Sequence, residues 1–350
     1  MTATLLSSPP VRAQSVPPWQ KTQLLAPTVS EQAVSEPSVL YENGVWRMWY
    51  RVGWSNLQGI FYANSTDGLH WIKYGHVTNE YNAHVIRYNS TTLLMYAHGL
   101  LTQHSADGIH WYNYTQQLGL SSNPWLHQPD PYEGAIGNSQ PLKLPNGTYL
   151  MYYDAWDCKF AQITNQPCTS HWAVFGASSP DGIHKWTRMA RNPLIAGPAE
   201  FANPHVVYDK GVYYAFVDFY DGTIYLILET STNGVGFSAP VYDPVLAIDE
   251  EIKFDPHCDQ VGDAWVITRP EGTYLFYDED TNAVGNFPHA TIWLALLPNT
   301  TLAQLVARQF GTSQTVTTTN IPEGLTPATL GALVVATCLM LHYTRKQKRT

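Results

Sequence analysis

The sequence predicts an all-β fold, a five-bladed β-propeller of four-stranded antiparallel blades followed by a C-terminal hydrophobic helix. Three observations predict it. A short motif recurs as STDGLHW at 65–71, SADGIHW at 105–111, SPDGIHKW at 179–186 and, in worn form, STNGVGF at 231–237. The stretch upstream of each copy recurs as well. Few stretches show helical periodicity, while 24 Gly, 24 Pro and 13% aromatic residues suit many short strands joined by turns. Asp-Gly and Asn-Gly supply the positive φ angles of a tight turn, and the Trp or Phe after them opens a strand with a large apolar anchor.

The first unit runs through Glu36-Pro37, a turn at Glu42-Asn43-Gly44 and an aromatic strand at 45–50. The second, less regular, runs from Asn82 through Asn89-Ser90 to Tyr96, and the third from Asn138 through Pro145-Asn146-Gly147 to Tyr153. The fourth runs from Asn203-Pro204 through Asp209-Lys210-Gly211 to Val217. The fifth runs from Asp263 through Pro270-Glu271-Gly272 to Tyr277, with 291–297 as its outer strand. Each unit holds four strands in about 40 to 50 residues, the size of a propeller blade.

Five such blades place one propeller domain at 36–298, with an N-terminal arm at 1–35 and a Ser/Thr-rich stalk at 299–324, the part from Thr300 to Phe310 reading as a short helix or a last strand. The segment 325–343 is apolar and uncharged, and a basic tail (Arg345, Lys346, Lys348, Arg349) ends the chain at 344–350. That pattern reads as a single membrane span with a cytoplasmic basic end, or as a C-terminal sorting signal. Either places the propeller on the outer face of the cell. Val11-Arg12-Ala13 resembles the end of a signal-peptide cleavage region, but the residues before it lack a basic start and an apolar run, so a truncated signal and a plain arm both stand. Sequons at Asn64, Asn89, Asn113, Asn146 and Asn299 agree with export. In an oxidising compartment Cys158 and Cys168 would form a disulfide closing an excursion of the third blade. A net charge of −9 with no basic patch in the body argues against nucleic acid, and any polymer bound should be neutral or require a bound cation.

An Xaa-Pro start to the inner strand, a Gly-aromatic second strand and an SxDGxxW hairpin together resemble the five-bladed propeller glycosidase superfamily. That group comprises the arabinanase and xylosidase family (glycoside hydrolase family 43), the invertase and levansucrase families and the mannoside phosphorylases. The resemblance covers 36–298. It implies a site where the innermost strands begin. Glu36, Asn82, Asn138, Asn203 and Asp263 occupy equivalent positions there, and the ends of the second strands add Arg51, Trp54, His98, Asp154, Trp156, Asp218 and Asp278. Aromatic faces stack on sugars, and amides and carboxylates bind hydroxyls. Trp54, Asn82, His98, Asn138, Trp156, Asn203, His205, Asp218 and Asp263 are accordingly the expected substrate contacts.

Glycoside hydrolysis needs an acid for the leaving oxygen and a carboxylate as base or nucleophile. The resemblance implies an Asp before Pro as that carboxylate, and Glu36-Pro37 stands there. It also implies a second Asp in the third blade and a Glu-Gly-Pro-His acid in the fourth, where this chain has Asn138 and Ala202-Asn203-Pro204-His205. Glu200 is the expected replacement acid, with Asp154 as a further catalytic carboxyl and Glu133 and Asp130 nearby. The resemblance allows a calcium or a water in the central channel, with His84 and His257 as candidate ligands; Asp255, His257, Cys258 and Asp259 would suit zinc better, and a structural turn explains them without metal. His70, His110 and His184 repeat with the motif, as Asp67, Asp107 and Asp181 do, and read as turn formers. Two functions follow: a cell-surface glycosidase using Glu36, or a non-catalytic propeller that binds carbohydrate or a partner.

Overall fold

The computed structural model describes residues 17–53, 58–98, 101–113, 133–165, 171–220, 224–238, 245–246, 260–281 and 289–310. Trp54, Asp130, Cys168, His257 and the apolar segment at 325–343 lie outside them. The strands are β1 (Gln20–Leu25), β2 (Val34–Glu42), β3 (Val45–Val52), β4 (Gly59–Ser65), β5 (Ile72–Thr78), β6 (His84–Arg87), β7 (Leu93–Tyr96), β8 (Thr102–Ser105), β9 (Tyr112–Asn113) and β10 (Glu133–Lys143). They continue as β11 (Tyr149–Asp157), β12 (Trp172–Ser179), β13 (Thr187–Arg188), β14 (Glu200–Asp209), β15 (Val212–Tyr220), β16 (Ile224–Ser231), β17 (Gln260–Arg269), β18 (Gly272–Thr281) and β19 (His289–Pro298). The sheets are β2-β3-β4-β5, β6-β7-β8-β9, β10-β11-β12-β13, β14-β15-β16 and β1-β19-β18-β17. Every pairing is antiparallel, giving the five blades the sequence predicts.

Two boundaries differ from the sequence reading. Residues 20–25 are not part of an arm: β1 pairs with β19 as the outer strand of the fifth blade, so that sheet contains both ends of the propeller. A closing strand removes the exposed edge that β19 would otherwise present. Past the propeller, Leu302–Phe310 is a helix, the first of the two readings of 300–310, so those residues separate from the stalk assigned to 299–324. Thr301 and Gln304 form a reciprocal capping box at its start, and Leu302 and Leu305 are buried between the fourth and fifth blades. Among the described residues the fourth blade has three strands, with isolated bridges Leu226–Leu246 and Thr230–Ser238 beyond them.

Second strands are apolar on both faces because each blade is covered by a neighbour on either side. In β11, for example, every residue except Trp156 is buried. The buried side chains fall into clusters between blades one and two, two and three, three and four, four and five, and five and one.

The recurrent turn joins the third strand of each blade to its outer edge and closes on itself. Ser65 Oγ accepts from Gly68 N (2.9 Å), and Asp67 Oδ1 accepts from the amides of Leu69 and His70 (both 2.8 Å). His70 Nδ1 lies 2.7 Å from Asp67 Oδ2. The copies at Asp107 and Asp181 repeat the pattern, and at Asn233, where Gly236 replaces the His, the backbone bonds remain. These Asp and His residues are turn formers, as their recurrence predicts. The turn glycine also faces the preceding blade: Trp49 Nε1 donates to Gly108 O (2.7 Å), Tyr96 OH to Gly182 O, and Tyr152 OH to Gly234 O (3.0 Å). One turn thus fixes both a hairpin and the next interface.

In the third-blade excursion, α1 (Cys158–Thr164) is capped by Asp157, which accepts from Phe160 N, and ends on Asn165 in the left-handed conformation. Cys158 is buried and disulfide-bonded. No helix among the described residues is long and apolar enough to cross a membrane.

Candidate functional site

Three tiers of side chains surround the axis, each supplied once per blade. The first is the predicted set of strand starts. Glu36, Asn82, Asn203 and Asp263 have φ of 53°, 54°, 47° and 53°, a backbone region that is costly for residues with a Cβ. The inner strands bulge there, with register shifts at Ser35/Ser38, Ile136/Ser139, Ala202/His205 and Gly262/Trp265. A bulge at the strand start turns one side chain per blade toward the axis.

These side chains meet. Arg51 Nη1 pairs with Glu36 Oε1 at 2.5 Å. Asn82 Nδ2 donates to Asn138 Oδ1, and the opposite orientation of the same amide would aim its N–H groups at both Glu36 carboxylate oxygens (3.0 and 2.6 Å). Asn138 Nδ2 donates to Asn203 Oδ1, and Asn203 Nδ2 donates to Asp218 Oδ2 at 2.7 Å. The three asparagines therefore form a joined floor between the carboxyls of Glu36 and Asp218.

The second tier, at the ends of the second strands, explains how the strained bulges persist. Asp154 accepts from Asn138 N (2.7 Å) and Asn203 N (2.8 Å), one bond to its own blade and one to the next. Asp218 accepts from Asp263 N at 3.2 and 3.3 Å, and Asp278 accepts from the backbone of Glu36. A Cβ at Gly137 would collide with the Asp154 carboxyl, and one at Gly262 would lie 2.8 Å from Asp218 Oδ2, so glycine precedes the bulge in blades three and five. Asp154 and Asp218 are 3% and 6% exposed. Asp154, expected as a catalytic carboxyl, and Asp218, expected as a substrate contact, both hold main-chain amides of the floor.

Burial dominates the electrostatics of this acidic region. It pushes Asp154 up to about 6 and Asp218 up to about 7. Asp263 lies well above its ordinary range through burial and through the charges of Asp278, Glu36 and Asp218. Asp278 is raised in the same way, by burial first and then Asp280 and Asp218. Burial also raises Glu36, and the Arg51 guanidinium opposes that rise.

The third tier lies two residues further along each inner strand: Ser38, His84, Gln140, His205 and Trp265. Ser38 Oγ accepts from Val85 N (2.8 Å), and His84 Nδ1 donates to Ser139 O (2.8 Å). Gln140 bonds Val206 N and O (3.0 and 3.4 Å), and His205 Nε2 donates to Val266 O (3.3 Å). Each side chain satisfies the inner edge of the next blade, which would otherwise leave buried main-chain groups unpaired. Trp265 packs on both imidazoles, with ring centroids 5.4 Å from His84 and 4.5 Å from His205. Burial drives His84 down to about 4 and His205 to about 3, so both are neutral at pH 7.

Several expectations change accordingly. His205, expected as a substrate contact, is 4% exposed with Nε2 donating to Val266 O. His84 belongs to the plug, and no group of His, Cys, Asp or Glu among the described residues could hold a metal ion; the channel where a calcium was allowed is filled by imidazole and indole. Glu133 is fully buried against Arg188, which donates to both its oxygens (2.9 and 2.8 Å). Glu200 pairs in register with Tyr220, away from the floor, and is raised by burial with His171 opposing.

The remaining predicted residues lie at the ends of the second strands, with Tyr81 just before the strand start of the second blade. His98 stacks on Tyr81 at 4.6 Å, and Arg51 lies 6.0 Å from the Tyr81 ring. Trp156, partly exposed, lies 5.8 Å from Trp172. Tyr81 and Trp265 were missed as site residues, yet aligning the repeats would have found them, one position before Asn82 and two after Asp263.

No protein-family profile matches the sequence, and no curated protein matches it. Solved structures do. One described as a glycoside hydrolase superposes with a TM-score of 0.62 at 16% identity over 88% of this chain and 96% of its own. A thermostable family-43 glycoside hydrolase gives 0.53 at 12% identity over 76% and 89%. The catalytic domain of the Coprinopsis cinerea GH62 α-L-arabinofuranosidase gives 0.54 at 12% identity over 79% and 96%. At such identities the likeness establishes architecture, and the architecture is the five-bladed β-propeller that these glycoside hydrolases share.

Proposed function

We propose that the strand starts and second-strand ends form a cup, that the cup is a carbohydrate site and that the chain hydrolyses glycosides of neutral glycans with Glu36 as base or nucleophile. The observation carrying this reading is the Glu36–Arg51 ion pair beside Asp263: burial raises both strand-start carboxyls, and Glu36 is in direct contact with a cation that opposes its rise. Glu36, in direct contact with the cation, is the ionised member. Asp263, surrounded by other carboxyls, keeps its proton and replaces Glu200 as the candidate general acid. Pairs pushed apart in this way divide acid and base roles. Tyr81, His98 and Trp156 supply stacking faces and a hydroxyl-binding rim. The sequons, the expected Cys158–Cys168 disulfide and the apolar composition of segment 325–343 support placement at the cell surface, anchored through the C-terminus.

The test is a panel of aryl glycosides, pentofuranosides and pentopyranosides first, with wild type, Glu36→Gln and Asp263→Asn. Loss of a general acid or base lowers turnover by about 10²- to 10⁴-fold, and both variants should show it. Equal activity of Glu36→Gln and wild type refutes the mechanism. Absence of hydrolysis together with glycan binding that Glu36→Gln abolishes would assign the cup to recognition alone, the reading favoured by the joined asparagines where the resemblance implies carboxylates.

A further inference from the structure

The His84–Trp265–His205 plug divides the axis, and a second cavity of about 440 Å³ lies on its far side, at the mouth formed by the inner hairpin turns. Its wall is zoned. The floor is His205 and Trp265; a collar of five aliphatic side chains follows, Leu40, Ile86, Leu142, Val207 and Ile267, one per blade at the same repeat position. The charged residues lining it are Lys143 and Arg269, both cationic, in a chain of net charge −9.

Each zone has unused bonding capacity. His205 donates through Nε2, so Nδ1 carries a lone pair, and that atom is buried without a hydrogen-bond partner. A buried acceptor in this state is costly until a donor reaches it. Lys143 spends one N–H on Tyr88 O (2.9 Å) and lies 5.7 and 5.3 Å from the rings of Tyr88 and Tyr149, with no carboxylate in ion-pair contact among the described residues. Arg269 gives Nε and Nη2 to Glu271 and lies 3.6 Å over the Tyr41 ring, with other N–H donors remaining. From the plug position to the rim, four residues further along each strand, the cavity runs about 13 Å.

The geometry points to a small phenolic carboxylate as the ligand: a hydroxyl donating to His205 Nδ1, an aromatic ring in the aliphatic collar, and a carboxylate between Lys143 and Arg269. A volume of this size suits such a molecule. This site shares no lining residue with the cup and stands whether or not the proposed hydrolysis does.

The probe is 4-hydroxycinnamate, titrated into the full chain by calorimetry. Its methyl ester lacks the charge, cinnamate lacks the hydroxyl, and glucose lacks the apolar ring. The acid should bind saturably, with ester and cinnamate each weaker by about fivefold, the worth of one partly exposed polar contact. Lys143→Glu should weaken it at least as much, and Val207→Trp, verified as folded by circular dichroism, should abolish it by filling the collar. Glu36→Gln should bind as wild type. Absence of saturable binding overturns the proposal, as does equal binding of acid and ester, undiminished binding by folded Val207→Trp, or loss in Glu36→Gln, which would place the ligand in the cup.

Discussion

Replacing Asp154 by Ala tests the claim that the second tier holds the floor. Asp154 accepts two main-chain amides, Asn138 N at 2.7 Å and Asn203 N at 2.8 Å, and is 3% exposed. A hydrogen bond to a charged acceptor contributes about 1.5–3 kcal/mol, and a buried amide stripped of its partner carries a desolvation penalty of similar size. Two such bonds set the gross loss at about 3–6 kcal/mol. Relief of burying the carboxylate, whose affinity for a proton is raised to about 6, returns about 3 kcal/mol of this at pH 8. The net destabilisation at pH 8 is then about 0–3 kcal/mol, and the full gross loss is approached only where the carboxyl is already neutral. Below pH 6 the wild-type group is protonated, the relief vanishes and the acceptor bonds weaken together. Asp154→Asn, with one carbonyl oxygen and an NH₂ facing the second amide, should also destabilise. Urea unfolding of the three proteins at pH 8 and pH 5 supplies the free energies. Destabilisation below about 0.5 kcal/mol at both pH values, with the crystal structure of the Ala variant keeping Asn138 and Asn203 in place, would show that the bulges need no clamp.

Two other outcomes follow from the same structure. Above pH 6.5 folded His84 and His205 are neutral and the unfolded imidazoles shed what remains, about half a proton each at most, whereas Asp218 and Glu229, raised to about 7, and Asp263 and Asp278, raised well above the ordinary carboxyl range, still bind protons only when folded. The native state holds the extra protons, so stability falls as pH rises from 6.5 to 8, by up to about 1.4 kcal/mol per pH unit for each such carboxyl. Chemical denaturation across that range gives the slope, and a flat or rising profile contradicts it. Gly108→Ala and Gly147→Ala separate backbone conformation from packing. Both glycines have positive φ (81° and 88°), but a Cβ at Gly108 meets Trp49 Cζ2 at 2.6 Å and one at Gly147 meets nothing within 4 Å. Thermal unfolding should show about 1 kcal/mol lost at Gly147 and about 2–4 kcal/mol at Gly108; equal losses would remove the turn from the blade interface.

The fold was legible because a propeller repeats its local chemistry. Ser, Asp and Gly in one turn close a hairpin through bonds spanning two or three residues, so four copies of the motif already fix four blades and their approximate limits. The equivalence of Glu36, Asn82, Asn138, Asn203 and Asp263 was legible for the same reason, since each opens an inner strand at a fixed distance from a turn glycine. The closing strand was not. Residues 20–25 alternate weakly, and their pairing with β19, some 270 positions away, leaves no mark in either stretch.

What a repeat alignment cannot supply is which equivalent residues touch, because contact across the axis joins five separate segments of chain. The sequence by itself determined that five polar side chains arrive at one end of the channel and that Glu36 carries the carboxylate. Only the tertiary structure decided that Asn82, Asn138 and Asn203 bind one another, that Asp154 and Asp218 serve backbone amides, and that Glu36 rather than Asp263 holds Arg51. A carboxyl on a strand end looks the same in the sequence whether it faces a sugar or an amide. Its role is set by the neighbour that burial forces on it.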